Sequence, residues 1–433
     1  MKKFLLFLLT FVFVACNADI EPTIETNIDN AEIISERNNF QELLETANEN
    51  WEFSDNAFLS IEDILYDIDF LVQTLEENFP FMGVAERQTG IANPLESLRI
   101  NLIFQANSMN LDSAQFENLI RYYFYDIFFS SLAHLDVNPG YFVEPTSTFM
   151  ESFEFSQQAN SLPMIIEEEK IALIPVNSAF FNNFEVPLRD MQELQNFIAQ
   201  IQGYEHVILD FTHIGGGFIN TAVETFILPN LSEPLHITEF AFITNGEFPR
   251  NIHAEALRTT QRNQIIGGSS FFMLRDTVGS LVPVAEFAAQ HNLTNINQAD
   301  LDTFSYGFII ETLLQPSNLS STERINFSSR LPFLADNIWL LISPNNGSAG
   351  AIFAQIAKSA GFTLVGEQTS HWNSNGRAFF QLPKTGHTIS MDTFYITDST
   401  GRNIEEFPTE PHYFNRPGMD ALETVLAIIA EME

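Results

Sequence analysis

The stretch His206-Val207-Ile208-Leu209-Asp210-Phe211-Thr212-His213-Ile214-Gly215-Gly216-Gly217 decides how this chain is read. Its first half is a short continuous apolar run, the pattern of a strand buried on both faces in a parallel sheet. Its second half is a glycine triplet, which lets the backbone turn tightly and aim bare N–H groups at a ligand. Downstream, Asn337-Ile338-Trp339-Leu340-Leu341-Ile342-Ser343 repeats the apolar run and leads into Pro344-Asn345-Asn346-Gly347-Ser348-Ala349-Gly350. A helix is expected over 351–360, ended by Gly361, and another strand at Phe362-Thr363-Leu364-Val365-Gly366-Glu367. Upstream, Lys170-Ile171-Ala172-Leu173-Ile174-Pro175-Val176 reads as a strand and 188–202 as a helix. Strand and helix in alternation predict an α/β fold with a parallel-sheet core. Such folds place their sites beyond the carboxyl ends of the strands, where both the glycine triplet and Ser348 stand.

Working outward, residues 57–140 read as a small helical N-terminal domain. Ser60-Ile61-Glu62-Asp63 resembles a capping box, and Ile61, Ile64, Leu65, Ile68, Leu71 and Leu75 follow it at helical spacing. A second helix is expected over 112–131, with Phe116, Ile120, Tyr123, Phe124 and Ile127 on one face, more simply core than a ligand platform. The α/β core spans 163–433. Within it, residues 231–335 parse only as loops and short helices and are expected to be an insertion or lid.

The amino terminus carries a separate signal. Met1-Lys2-Lys3 is followed by an apolar run over 4–15 and then by Cys16, the only cysteine of the 433 residues. A basic start and a short apolar run mark an export signal, since a membrane span needs about 20 residues. The Cys directly after the run resembles the bacterial lipoprotein signal, which implies cleavage after residue 15 and a lipid anchor on Cys16. The expected location is the periplasmic face or the outer-membrane surface of a bacterium. Residues 16–56 then form an acidic tether. With 56 Asp+Glu against 19 Lys+Arg, the chain repels phosphate backbones, so a nucleic-acid partner is excluded. One cysteine excludes a disulfide scaffold and a thiolate zinc site. No metal or organic cofactor is expected.

Ser348 on a strand-to-helix turn exposes its hydroxyl with a helix amino terminus behind it. The Ala349 N–H and the glycine turn at Gly215 and Gly216 can then supply oxyanion donors. An ordinary helix-capping serine fits the same residues. Taken in order, the acidic strand ending in glycines, Ser348-Ala349-Gly350, Val365-Gly366-Glu367-Gln368-Thr369 and the Phe380-Gln381-Leu382-Pro383-Lys384-Thr385-Gly386 hairpin resemble the C-terminal-processing, or tail-specific, serine peptidase family. The resemblance runs over about 57–420. It implies a crotonase-like (ClpP/crotonase) parallel-sheet core and a peptide or protein substrate cut by a serine nucleophile. The short interval between His134 and the first core strand leaves no room for the PDZ module that many members carry.

The family has a Ser–Lys branch and a branch typified by the tricorn core protease. None of the lysines beyond the signal segment, Lys170, Lys358 and Lys384, has the Ser–Lys spacing; Asn373 stands where that lysine is expected. The resemblance therefore points to His134 as the base, with Glu405 or Glu406 as the late carboxylate. The sequence departs from the family at Leu132-Ala133-His134-Leu135, at His213-Ile214 before the glycines, and at Pro411-His412. Those departures fit a degenerate member that binds peptides or hydrophobic ligands without cutting. An α/β-hydrolase esterase is a further alternative, its base being His371, His387 or His412.

Overall fold

Four helices open the folded body: α1 (Ile61–Asn78), α2 (Met82–Thr89), α3 (Pro94–Ser108) and α4 (Ser113–Ile127). They belong to a computed structural model that describes residues 58–128, 132–138, 162–176, 180, 188–217, 219–266, 276–315, 332–333, 336–370 and 375–432. The signal segment, Cys16 and the tether lie outside the described residues. The Ser60 side chain accepts from the Asp63 N–H and starts α1 as the sequence suggested. The full reciprocal capping box is instead at α4, between Asp112 and Gln115.

A tight turn at Leu132–His134 leads into β1 (Asp136–Val137). Then follow β2 (Met164–Glu167), β3 (Ile171–Pro175), α5 (Leu188–Gln200) and β4 (His206–Asp210). The region 231–335, expected as loops and short helices, holds three strands and a 20-residue helix beside two short ones. These are β5 (Leu235–Ile243), α6 (Glu247–Ile266), β6 (Asp276–Pro283), α7 (Val284–His291), α8 (Gln298–Leu301) and β7 (Tyr306–Leu314). The chain continues with β8 (Asn337–Ile342), α9 (Ala349–Ser359), β9 (Thr363–Gly366), β10 (Asn375–Gln381), β11 (Thr388–Asp398), β12 (Tyr413–Phe414) and α10 (Ala421–Met432).

The strands form two sheets. One has the order β12-β9-β8-β4-β3-β2, parallel throughout except for β2 at its edge. Its inner strands β3, β4, β8 and β9 are apolar at consecutive positions because both faces are covered. Leu209, Leu340 and Leu364 pack with α5 and α9 on one side. Ile208, Trp339, Leu341 and Val365 pack against α10 on the other.

The second sheet is antiparallel, with the order β1-β11-β5-β7-β6 and β10 also paired to β11. β11 joins it together, its first half lying beside β1 and β10 and its last four residues beside β5. β5 and β7 pair over nine positions, so 231–335 supplies the middle of this sheet. The sequence hid this because β5 is half exposed at its start and fully buried at its end, with no period-2 signature.

The four opening helices have no core to themselves. Their apolar faces share one cluster with Phe240, Phe242, Ala378, Ile389, Met391 and Tyr395 of the antiparallel sheet. Polar ties reinforce that seam. The Asp67 carboxylate accepts from the Lys384 and Thr385 N–H groups at the β10–β11 turn. Arg87 of α2 reaches both Asp300 and Glu406.

Candidate active site

Ser348 stands at the cap position of α9 without acting as a cap. Its backbone is at φ 50, ψ −122, and its side chain makes no capping hydrogen bond. A serine that merely caps sits in the β region with its oxygen on an N–H of the first turn, so the ordinary reading does not describe this residue. Positive φ at a non-glycine residue is strained by about 1–3 kcal/mol and is kept only where the surroundings over-determine it.

The surroundings do so. Asn346 is completely buried, and its Nδ2 donates to the carbonyl oxygens of Phe211 (2.6 Å) and Ile214 (3.0 Å). Its Oδ1 accepts from the Ser343 N–H at 2.7 Å. The Gly347 N–H donates to the Gly215 oxygen, and Ser343 Oγ donates to the Thr212 oxygen. The serine turn after β8 and the glycine turn after β4 are thus one stitched unit at the carboxyl ends of neighbouring parallel strands. The fit leaves no room at Gly216. A Cβ there would lie 3.1 Å from Ser348 Cβ and 3.2 Å from the Gly347 oxygen, at φ +156. Gly350 is equally confined, since a Cβ would meet the Ile214 oxygen at 2.7 Å. Ala349 is the first residue of α9, where backbone N–H groups lack helical partners.

His134 lies across the molecule's other sheet. Ala133 (φ 50) and His134 (φ 53) are both left-handed, in a tight turn between α4 and β1. Of the seven non-glycine residues at positive φ among the described residues, three are asparagines, which tolerate that region; the others are Ala133, His134, Glu169 and Ser348. The His134 ring places Nδ1 2.6 Å from Asp392 Oδ2. Its backbone oxygen accepts from Ser390 Oγ. Asp392, in the middle of β11, is almost fully buried, and its other oxygen accepts from Arg377 Nε of β10 at 3.1 Å. Burial by itself would raise the Asp392 carboxyl; the charges of His134 and Arg377 and their hydrogen bonds outweigh it and hold the group below the ordinary carboxylate value. Asp392 has no signal in the sequence, being one of 56 acidic residues and 258 positions from its partner.

The model of peptidase family S41 matches residues 170–414, more than half of the chain. The chain belongs to peptidase family S41. That is a family of serine peptidases, and the match takes in both the serine and the glycine turns. Among solved structures, the mature form of CPAF complexed with lactacystin is 12% identical, with a TM-score of 0.54 over 82% of this chain and 94% of that one. Mature CPAF without that ligand gives 11% identity and a TM-score of 0.50 over 82% and 92%. A lipoprotein from Streptococcus agalactiae is 9% identical, with a TM-score of 0.43 over 88% of this chain and all of that one. At these identities the likeness to the two CPAF structures is one of fold. No curated protein matches the sequence.

The remaining candidates of this S41 chain fall elsewhere. Glu406 is held by Arg87 through both carboxylate oxygens, at 2.8 Å each, in a cluster with Asp300 and the Tyr395 hydroxyl. Glu405 beside it is buried, its N–H donating to Asn403 Oδ1. Lys358 Nζ donates to the Glu410 oxygen, Lys384 lies over the Tyr66 ring, and Lys170 is near Glu167. Of the histidines considered for a hydrolase, His412 accepts from the Leu364 N–H and His387 is buried against Asn138 and Ser113. His371 lies outside the described residues. Among the described residues no group of three His, Cys, Asp or Glu side chains could hold a metal ion, and no helix is long and apolar enough to cross a membrane.

Proposed function

We propose that this chain is an exported, lipid-anchored serine peptidase with a Ser/His site. Ser348 Oγ attacks the carbonyl carbon of a peptide bond while His134 takes its proton. The N–H groups of Gly216 and Ala349, with Gly215 shaping the turn, hold the oxyanion. His134 then returns the proton to the leaving amine, and water hydrolyses the acyl-enzyme by the same steps in reverse roles. The observation that carries this reading is the uncapped, strained Ser348 pressed against Gly216. A turn of that shape costs stability and serves no capping purpose, whereas it suits a nucleophile aimed away from its helix.

The proposal includes a crotonase-type core without a PDZ module, a membrane anchor at Cys16 through the tether 16–56, and a peptide or protein substrate. Glu406 is given no chemistry, because Arg87 takes up its carboxylate. The Arg87–Asp300–Glu406 cluster suits a clamp between α2 and the antiparallel sheet.

A fluorophosphonate probe tests the reading. Labelling of the native protein is expected at Ser348 and nowhere in Ser348→Ala. A well-folded protein that takes no label would leave the same fold as a peptide- or hydrophobic-ligand-binding lipoprotein.

A further inference from the structure

We infer that the outer face of α3 rests on the surface of a zwitterionic phospholipid bilayer, beside the point where the tether from Cys16 enters the folded body. The inference rests on the anchor at Cys16 in the proposed function and is independent of the chemistry at Ser348.

α3 is apolar on two sides. Leu98, Leu102 and Ala106 recur every four residues and are buried in the core that the opening helices share with the antiparallel sheet. Ile100 and Phe104, also four residues apart, lie on the opposite side and are 57% and 66% exposed. A surface helix of a globular protein carries polar residues outward, and a helix apolar on both sides is one that something covers. Met109 follows the helix and Phe58 bridges to Asp112 just beyond it, both exposed. Large apolar side chains gathered at one end of a helix, rather than scattered singly, mark an interaction surface.

The polar residues of the stretch suit the same surroundings. Residues 100–111 include no charged side chain, in a chain of which 17% is charged. Asn101 Nδ2 donates to the Ser97 oxygen, Asn107 Nδ2 to the Ile103 oxygen and Ser108 Oγ to the Phe104 oxygen. These donors are used within the helix, which lowers the cost of taking the face out of water. The two charged residues of α3 stand before the stretch: Arg99 is turned onto Asp69 of α1, and Glu96 lies in the first turn.

Two observations choose lipid as the occupant. The first is where the chain enters. Residues 17–57 join the anchor to Phe58, and the Leu59 N–H donates to the Leu111 oxygen just beyond α3. The tether thus delivers the folded body to the bilayer by its α3 end, at most about 140 Å from the anchor at full stretch. The second is charge. A net charge of −37 opposes both a second copy of the chain and an anionic bilayer. An uncharged apolar face lets so acidic a protein meet zwitterionic headgroups, with Ile100 and Phe104 entering the boundary between headgroups and acyl chains.

The test uses the full processed lipoprotein in phosphatidylcholine vesicles that contain a nitroxide-labelled lipid. A fluorophore is placed on Asn107→Cys, which leaves Ile100 and Phe104 intact, and for comparison on Ala199→Cys, exposed on α5 of the parallel core. Emission from position 107 should shift to the blue and be quenched by the nitroxide lipid, while emission from position 199 is not. Ile100→Glu/Phe104→Glu should abolish the shift and the quenching at 107 while the protein still floats with the vesicles. Floated protein with equal quenching at the two positions, or quenching that survives the double substitution, overturns the inference. So does a dimer in detergent that the double substitution breaks, with position 107 unquenched on vesicles; the face would then bind a second copy. Wild-type protein that does not float removes the anchor and the docking together, whereas flotation without quenching removes the docking alone.

Discussion

The two halves of the proposed site are built from different materials. The Ser348 half is backbone: a serine turn and a glycine turn at adjacent parallel strands, joined by main-chain hydrogen bonds and one buried amide, Asn346. The His134 half is side chain: an imidazole, a carboxylate and a guanidinium brought from β11, β10 and the α4–β1 turn. Backbone stitching carries no titratable group, whereas side-chain stitching does. The antiparallel half also holds the Arg87–Asp300–Glu406 clamp and the buried His253, so acid and charge substitutions should act mainly there.

The sharpest break of the backbone half is Asn346→Ala. It leaves the Ile214 oxygen and the Ser343 N–H without the Asn346 side chain in a dry site, at about 1–3 kcal/mol each, while the Phe211 oxygen keeps the Ile214 N–H. A loss of about 4 kcal/mol in urea unfolding is expected, together with loss of Ser348 labelling. An unchanged midpoint would mean that the two turns stand without the amide.

The pH contrast comes next. His253 is almost wholly buried against Phe308, and desolvation pushes its pKa down to about 4. A base whose folded-state pKa is depressed gives stability that is present above its unfolded value, near 6.5, and lost as pH falls toward the folded one. That amounts to about 3 kcal/mol between pH 7 and pH 4. His253→Phe should remove this part of the slope, measured as the difference in unfolding free energy between the two proteins at each pH. Parallel slopes would show that the ring is not buried neutral. Asp392 acts further down: its pKa is lowered, so its contribution is present above the ordinary carboxylate value and disappears only in stronger acid.

Gly216→Val tests the close approach at the glycine turn. A side chain there must move Ser348 or the Gly347 carbonyl. Labelling should slow by about 10²-fold, the effect of losing one oxyanion donor, and the melting temperature should fall as well, because valine is strained at φ +156 and crowded by Ser348. Wild-type labelling in this variant would separate Gly216 from the oxyanion hole.

The mildest case is Glu406→Gln. Arg87 keeps Asp300 and loses one partly buried partner, so a destabilisation of about 1 kcal/mol is expected with labelling of Ser348 unaffected. A large fall in labelling with the melt unchanged would return the late glutamate to the chemistry.

What could be read from the sequence follows the same division. The strands at 171–175, 206–210, 337–342 and 363–366 announced themselves as apolar runs because helices cover both faces of their sheet. The turns at Gly216 and Ser348 could be found because each lies within a few residues of its strand, and turn chemistry is local. The antiparallel sheet over 235–314 could not, because its pairing joins distant segments and its burial changes along each strand. Asp392 could not for the same reason: nothing near it in the chain distinguishes it from the other acids. The sequence by itself determined the parallel core, the serine and glycine turns and the family. Only the tertiary structure decided which carboxylate meets His134 and that Glu406 belongs to Arg87, because a side-chain pair across hundreds of residues is chosen by sheet register and burial, which no local pattern records.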